Sequence, residues 1–168
     1  DSAEDMEGVE MFFKAQRTVF DDAKKRFASI LKERDYFAAD ADTLNVISTM
    51  STILAMPKPY SRIGELPELV QKIKTAYDSL LDMKREEVAE NIRQCMQDVH
   101  QLASEARDAG ALLRQADDHF VNKREAAKTA TSLTELDAMI TQLLNYKDTI
   151  CRRMEVMSAS RQQEAQKP

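Results

Sequence analysis

Pro57-Lys58-Pro59-Tyr60-Ser61-Arg62-Ile63-Gly64-Glu65-Leu66-Pro67-Glu68-Leu69 holds three of the four prolines and one of the three glycines in a chain of 168 residues. On either side the sequence keeps a helical rhythm for tens of residues. A proline lacks a backbone donor and clashes with the preceding turn, so Pro57 marks the end of the helix before it. Pro67 stands where a first helical turn would begin, a place where the missing N–H costs nothing and the fixed φ helps. The stretch therefore reads as an elbow that stops one helix and starts the next. Tyr60 and Ile63 are expected to pack beneath it against Leu66 and Leu69. The elbow residues are Pro57, Pro59, Tyr60, Ile63, Leu66, Pro67 and Leu69.

Composition agrees with a helical chain. Charged residues make up 32% and aromatic residues 6%, there is no Trp, and turn formers are scarce. That profile belongs to long helices and coiled coils. The expected fold is all-α: an elongated antiparallel helical bundle or coiled coil of about four helices, forming one domain over 1–168. Because the chain starts at Asp1 and stops at Lys167-Pro168, it is expected to be a piece of a longer protein.

Working outward from the elbow, the predicted helices span about 6–39, 43–56, 65–128 and 133–160. In the first, Val9, Phe13, Gln16, Phe20, Ala23, Phe27 and Ile30 alternate by three and four, and Phe37 follows one heptad after Ile30. This is the pattern of a helix facing another helix, and the Phe stripe reads as core. Asp40 or Asp42 offers an N-cap for the second helix. After the elbow, one seam runs through Leu66, Val70, Ile73, Tyr77 and Leu80. Another runs through Val88, Ile92, Cys95, Val99, Leu102 and Ala106, and continues at Leu113, Ala116, Phe120 and Ala127. Unbroken, this helix would be on the order of 95 Å long at 1.5 Å per residue. A slip of the rhythm near residue 84 and Gly110 mark possible kinks. Ser132-Leu133-Thr134-Glu135 is a capping box. It opens a regular seam of Leu133, Leu136, Ile140, Leu143, Lys147, Ile150, Met154 and Met157, which is expected to fold back antiparallel on the helix before it.

The chemistry-bearing patterns are few. A phosphate-cradling loop needs clustered glycines ending in Lys-Ser/Thr, and the glycines here are scattered. Di-iron bundles use Glu-x-x-His; three residues before His100 is Gln97, and three before His119 is Ala116. Asp117-Asp118-His119 are adjacent on a helix and point in different directions. Cys95 and Cys151 lack ligand spacing and read as buried thiols of a reducing compartment rather than a disulfide. Lys84-Arg85 and Arg152-Arg153 are flanked by acids and read as solvated faces. The net charge of −5 offers no basic stripe for nucleic acid, and no apolar run is long enough to span a membrane. No catalytic, cofactor or metal residue is assigned, and no cofactor is expected.

Ile53-Leu54, Pro59-Tyr60, Ile63, Leu66-Pro67 and Leu69, entering a long charged amphipathic helix, resemble a stretch in the large P-loop ATPases of bacteriophage-exclusion (BREX) defence systems. The resemblance covers about a dozen residues and the helical style around them. It implies a cytoplasmic helical interaction or coupling domain of an antiviral ATPase, not itself an enzyme, working through protein partners or self-association. The alternative is a structural coiled-coil adaptor or scaffold domain of an unrelated bacterial protein.

Overall fold

A computed structural model describes residues 2–165, apart from the side chains of Tyr60 and of residues 159–165. Among the described residues there is no strand, and five α-helices replace the four expected: α1 (Ser2–Lys32), α2 (Ala41–Leu54), α3 (Leu66–Glu105), α4 (Gly110–Thr129) and α5 (Leu133–Ala165). The chain divides into two compact units, one up to Ser79 and one from Leu80 onward.

The first unit is built from α1, α2 and the opening turns of α3. Leu31 and Arg34, at the end of α1 and just beyond it, face Ile47 and Ser51 of α2, while Phe20 lies near Leu54; α2 thus runs back along α1. Ala23 lies near Leu66 and Val70, and the Tyr77 hydroxyl donates to Glu33 at 2.7 Å, so α3 enters parallel to α1. The core is Ala23, Phe27, Phe37, Ile47, Met50, Ile53, Ile63, Leu66 and Ile73.

α1 ends at Lys32, seven residues before the expected boundary near 39. A 3-10 turn over Arg34–Phe37 follows, closed by the Tyr36 N–H on the Glu33 carbonyl. The tighter winding brings Phe37 to 1% exposure with its ring 6.4 Å from that of Tyr77. Burying that ring offsets the poorer hydrogen-bond geometry of the turn. Asp40 is the N-cap of α2: its carboxylate accepts from the Thr43 N–H and the Thr43 hydroxyl. Those bonds hold the Asp40 carboxyl below its ordinary pKa.

The second unit is a three-helix bundle. The α3 to α4 pairing is antiparallel, since His100 meets Asp117 and the Arg85 guanidinium donates to the Ala130 carbonyl just past α4. Lys123 reaches Gln142 and Tyr146 reaches Gln115, so α5 runs antiparallel to α4, as the seam and short turn predicted. Lys84 bonds Asp137 and Lys147 pairs with Asp98, which makes α5 parallel to α3. Val88, Ile92, Cys95 and Val99, Ala116 and Phe120, and Leu133, Leu136, Leu143, Ile150 and Met154 are each at most 1% exposed. Each buried Leu or Ile stabilises the bundle by about 1.5–3 kcal/mol.

The helix expected over 65–128, with a possible kink at Gly110, is two helices, and the second begins at Gly110. The reversal falls at Asp108, whose φ of 58° is the left-handed value, and Ala109 begins α4 by accepting from the Leu113 N–H at 2.8 Å. Aspartate tolerates this region better than most residues. Near residue 84, the other possible kink, α3 runs through without interruption. Among the described residues, no helix is long and apolar enough to cross a membrane.

Candidate functional site

The elbow consists of two consecutive 3-10 turns, Pro59–Ser61 and Ile63–Glu65, between the end of α2 at Leu54 and the start of α3 at Leu66. α2 stops two residues short of the expected 56, with Ala55 and Met56 closing the last turn on Ser51 and Ile53. Arg62 N–H bonds the Pro59 carbonyl and Glu65 N–H bonds the Arg62 carbonyl, so the turns are chained through Arg62. The same residue grips Glu65 with its guanidinium at 2.8 Å. That hydrogen bond raises the Arg62 pKa and lowers that of Glu65.

The structure places the predicted elbow residues unequally. Ile63 is 5% exposed and Leu66 is fully buried, and both join the core. Leu69 is half-buried, and Pro57 and Pro67 face solvent, with Pro67 in the first turn of α3 as the sequence indicated. Pro59 is half-buried. The expected packing of Tyr60 falls on a side chain outside the described residues. Against α1, the elbow encloses one side of a groove of about 730 Å³; Phe13 and Phe20 form one wall, and Leu54, Pro57, Pro59 and Ile63 the other. Gln16, Arg17, Asp21 and Lys24 also line it, so apolar walls meet polar groups and charges of both signs.

The Phe stripe of α1 is core only in its second half. Phe27 is 6% exposed and Phe20 is half-buried, whereas Phe13 is 49% exposed. Met6, Val9, Met11 and Phe12 are also exposed, at 54–71%. The helix continues its heptad beyond the reach of α2 and α3, which is why the same residue type has two environments.

In the second unit an aromatic cluster with no pattern in the sequence joins α4 to α5. His119 lies flat on Tyr146 with centroids 3.6 Å apart, and the Phe120 ring meets Tyr146 edge-on at 5.6 Å. His119 Nε2 is buried with no hydrogen-bond partner among the described residues. Burial, and secondarily Lys123, lowers its pKa. The only local signal was an adjacent His119-Phe120 pair on an otherwise polar turn. His100 Nε2 and Asp117 are 2.8 Å apart at the surface. Among the described residues, no three His, Cys, Asp or Glu side chains group to hold a metal ion.

Cys95 is buried, Cys151 is half-buried, and both are free thiols. Burial pushes both upward in pKa, which keeps them protonated and weakly nucleophilic. Lys84 and Arg85 are not the solvated face expected of them. Both are half-buried, and they reach across the bundle's edge to Asp137 and to the Ala130 carbonyl while also pairing with the exposed Glu87 and Asp82. No protein-family model matches the chain, and no solved structure matches it significantly.

Proposed function

We propose that the chain is a helical interaction and coupling domain, cytoplasmic and non-catalytic by itself, belonging to a P-loop ATPase of the BREX defence type. The observation that carries this reading is the elbow. Two 3-10 turns, chained through Arg62 and anchored by the buried Ile63 and Leu66, join α2 to α3. A connection of this kind transmits a displacement of one helix to the next instead of absorbing it. Prolines reinforce it by reducing the freedom of the unfolded chain, worth about 0.4–1 kcal/mol for each compatible site.

The test uses the full parent protein. Tyr60→Ala should uncouple the response to partners from ATP turnover while basal turnover stays intact. Loss of basal turnover would assign the elbow to the engine itself and end the coupling reading. A parent reading frame without a phosphate-binding loop would leave the adaptor reading in its place.

A further inference from the structure

The first turns of α1 carry an apolar row with a one-sided charge. Met6 and Val9 occupy the two seam positions of a heptad that becomes the core of the first unit at Ala23 and Phe27, so the row is continuous with an established packing surface. Met6 is 67% and Val9 54% exposed, and Phe12 widens the row at 58%. Glu4, Asp5, Glu7 and Glu10 lie on the same turns, and the first cation along the helix is Lys14. The row leads into the elbow groove, whose α1 wall begins at Phe13.

We propose that this end of α1 is a docking site for a basic amphipathic helix of a protein partner. The partner would carry apolar residues at heptad spacing with Lys or Arg on the flanks. Charge decides between the possible occupants. In a second copy laid antiparallel, with Val9 of one chain against Phe13 of the other, Glu10 meets Glu10, and like charges at such flanking positions oppose pairing. A basic helix instead meets Asp5 and Glu10, which flank Met6 and Val9 on the two sides of the seam, and this favours both its encounter and its register. Glu4 and Glu7, on the far face, add only longer-range attraction. Its apolar face would cover Met6, Val9 and Phe12 as a helix-in-groove ligand does. The inference deepens the interaction-domain reading and rests on it. It is tested on this chain alone, so its outcome does not depend on the identity of the parent.

The experiment measures fluorescence anisotropy of three labelled three-heptad peptides titrated with the 168-residue chain in near-physiological salt. One carries Leu at the seam with Lys on the flanks, one the same seam with Glu on the flanks, and one the Lys composition in scrambled order. The Lys peptide should bind at least tenfold more tightly than the other two. Met6→Gln/Val9→Gln/Phe12→Gln should weaken it at least tenfold, and Asp5→Lys/Glu10→Lys should transfer the preference to the Glu peptide. Far-UV circular dichroism checks that both variants keep their helix. Equal binding of the Lys and scrambled peptides, or indifference to the Gln substitutions, would overturn the proposal. So would sedimentation equilibrium showing a dimer that the Gln substitutions dissolve, since the face would then belong to a second copy.

Discussion

His119 stacks face to face on Tyr146 across the α4–α5 contact, with ring planes 12° from parallel, and its buried Nε2 has no hydrogen-bond partner among the described residues. This arrangement suits a neutral imidazole. Protonation would place a charge in a desolvated slot near Lys123, and both effects lower the His119 pKa. The folded-state value therefore lies below the unfolded one of about 6.5. The stabilisation is complete above the unfolded value and is lost as pH falls through the folded value. Between about pH 7.5 and 5 the Tm should fall, and His119→Phe, which preserves the stack, should flatten that dependence. An unchanged slope in the variant would mean that other groups set it. The lowered carboxyls Asp40, Glu65, Glu90 and Glu125 act in more acidic solution.

Arg85 and Lys84 are neighbours with different consequences. Arg85 donates at 2.7 Å to the Ala130 carbonyl, the C-cap of α4. Arg85→Met leaves that carbonyl without its charged donor and should cost about 1–3 kcal/mol. Lys84→Met removes a partly exposed ion pair with Asp137 and should cost about 0–1 kcal/mol. Urea midpoints at constant slope give both numbers. Equal losses would mean that the helix end is held by packing alone.

Leu143 and Lys147 lie on one seam of α5 and differ in burial. Leu143 is fully buried, so Leu143→Ala should cost about 2–5 kcal/mol. Lys147 keeps its side chain 24% exposed while its ammonium reaches Asp98 at 3.6 Å, as a lysine laying its stem along an apolar surface does. Lys147→Ala should cost under about 1 kcal/mol. Similar losses in denaturant titrations would place the core face of α5 elsewhere.

The contrast between α5 and α3–α4 shows what the sequence carried. A capping Ser132, whose hydroxyl accepts from the Glu135 N–H, and a seam from Leu133 to Met154 define α5 locally, so helix and face were legible. The break before α4 was legible only as a possible kink at Gly110, not as a reversal at Asp108. Ala106, Leu113, Phe120 and Ala127 are spaced by seven, so the heptad keeps phase straight through the turn, and an aspartate at positive φ leaves no mark in the sequence. The Phe stripe of α1 failed in another way: periodicity gives the face of a helix but not where its neighbours stop. At the elbow the prolines located the turn, and burial of Ile63 and Leu66 followed from their being apolar. The His119–Tyr146 stack joins two helices and has no local pattern to announce it.

Ile63 and Gly64 separate two explanations of the elbow. One holds that the turn needs a flexible glycine; the other that it is held by the side chain buried beneath it. Gly64 has no positive φ, and a Cβ built on it meets nothing within 4 Å. Gly64→Ala should therefore be tolerated, and should stabilise by about 0.4–1 kcal/mol by restricting the unfolded chain. Ile63 is 5% exposed and belongs to the groove wall opposite Phe20, so Ile63→Ala should cost about 2–5 kcal/mol. Thermal and urea unfolding of both variants decide the matter. If Gly64→Ala destabilises and Ile63→Ala does not, the backbone sets the elbow and packing is secondary. The opposite result means that the turn is fixed by what Ile63 buries, and a helix bound in the adjoining groove would then rest against a rigid wall.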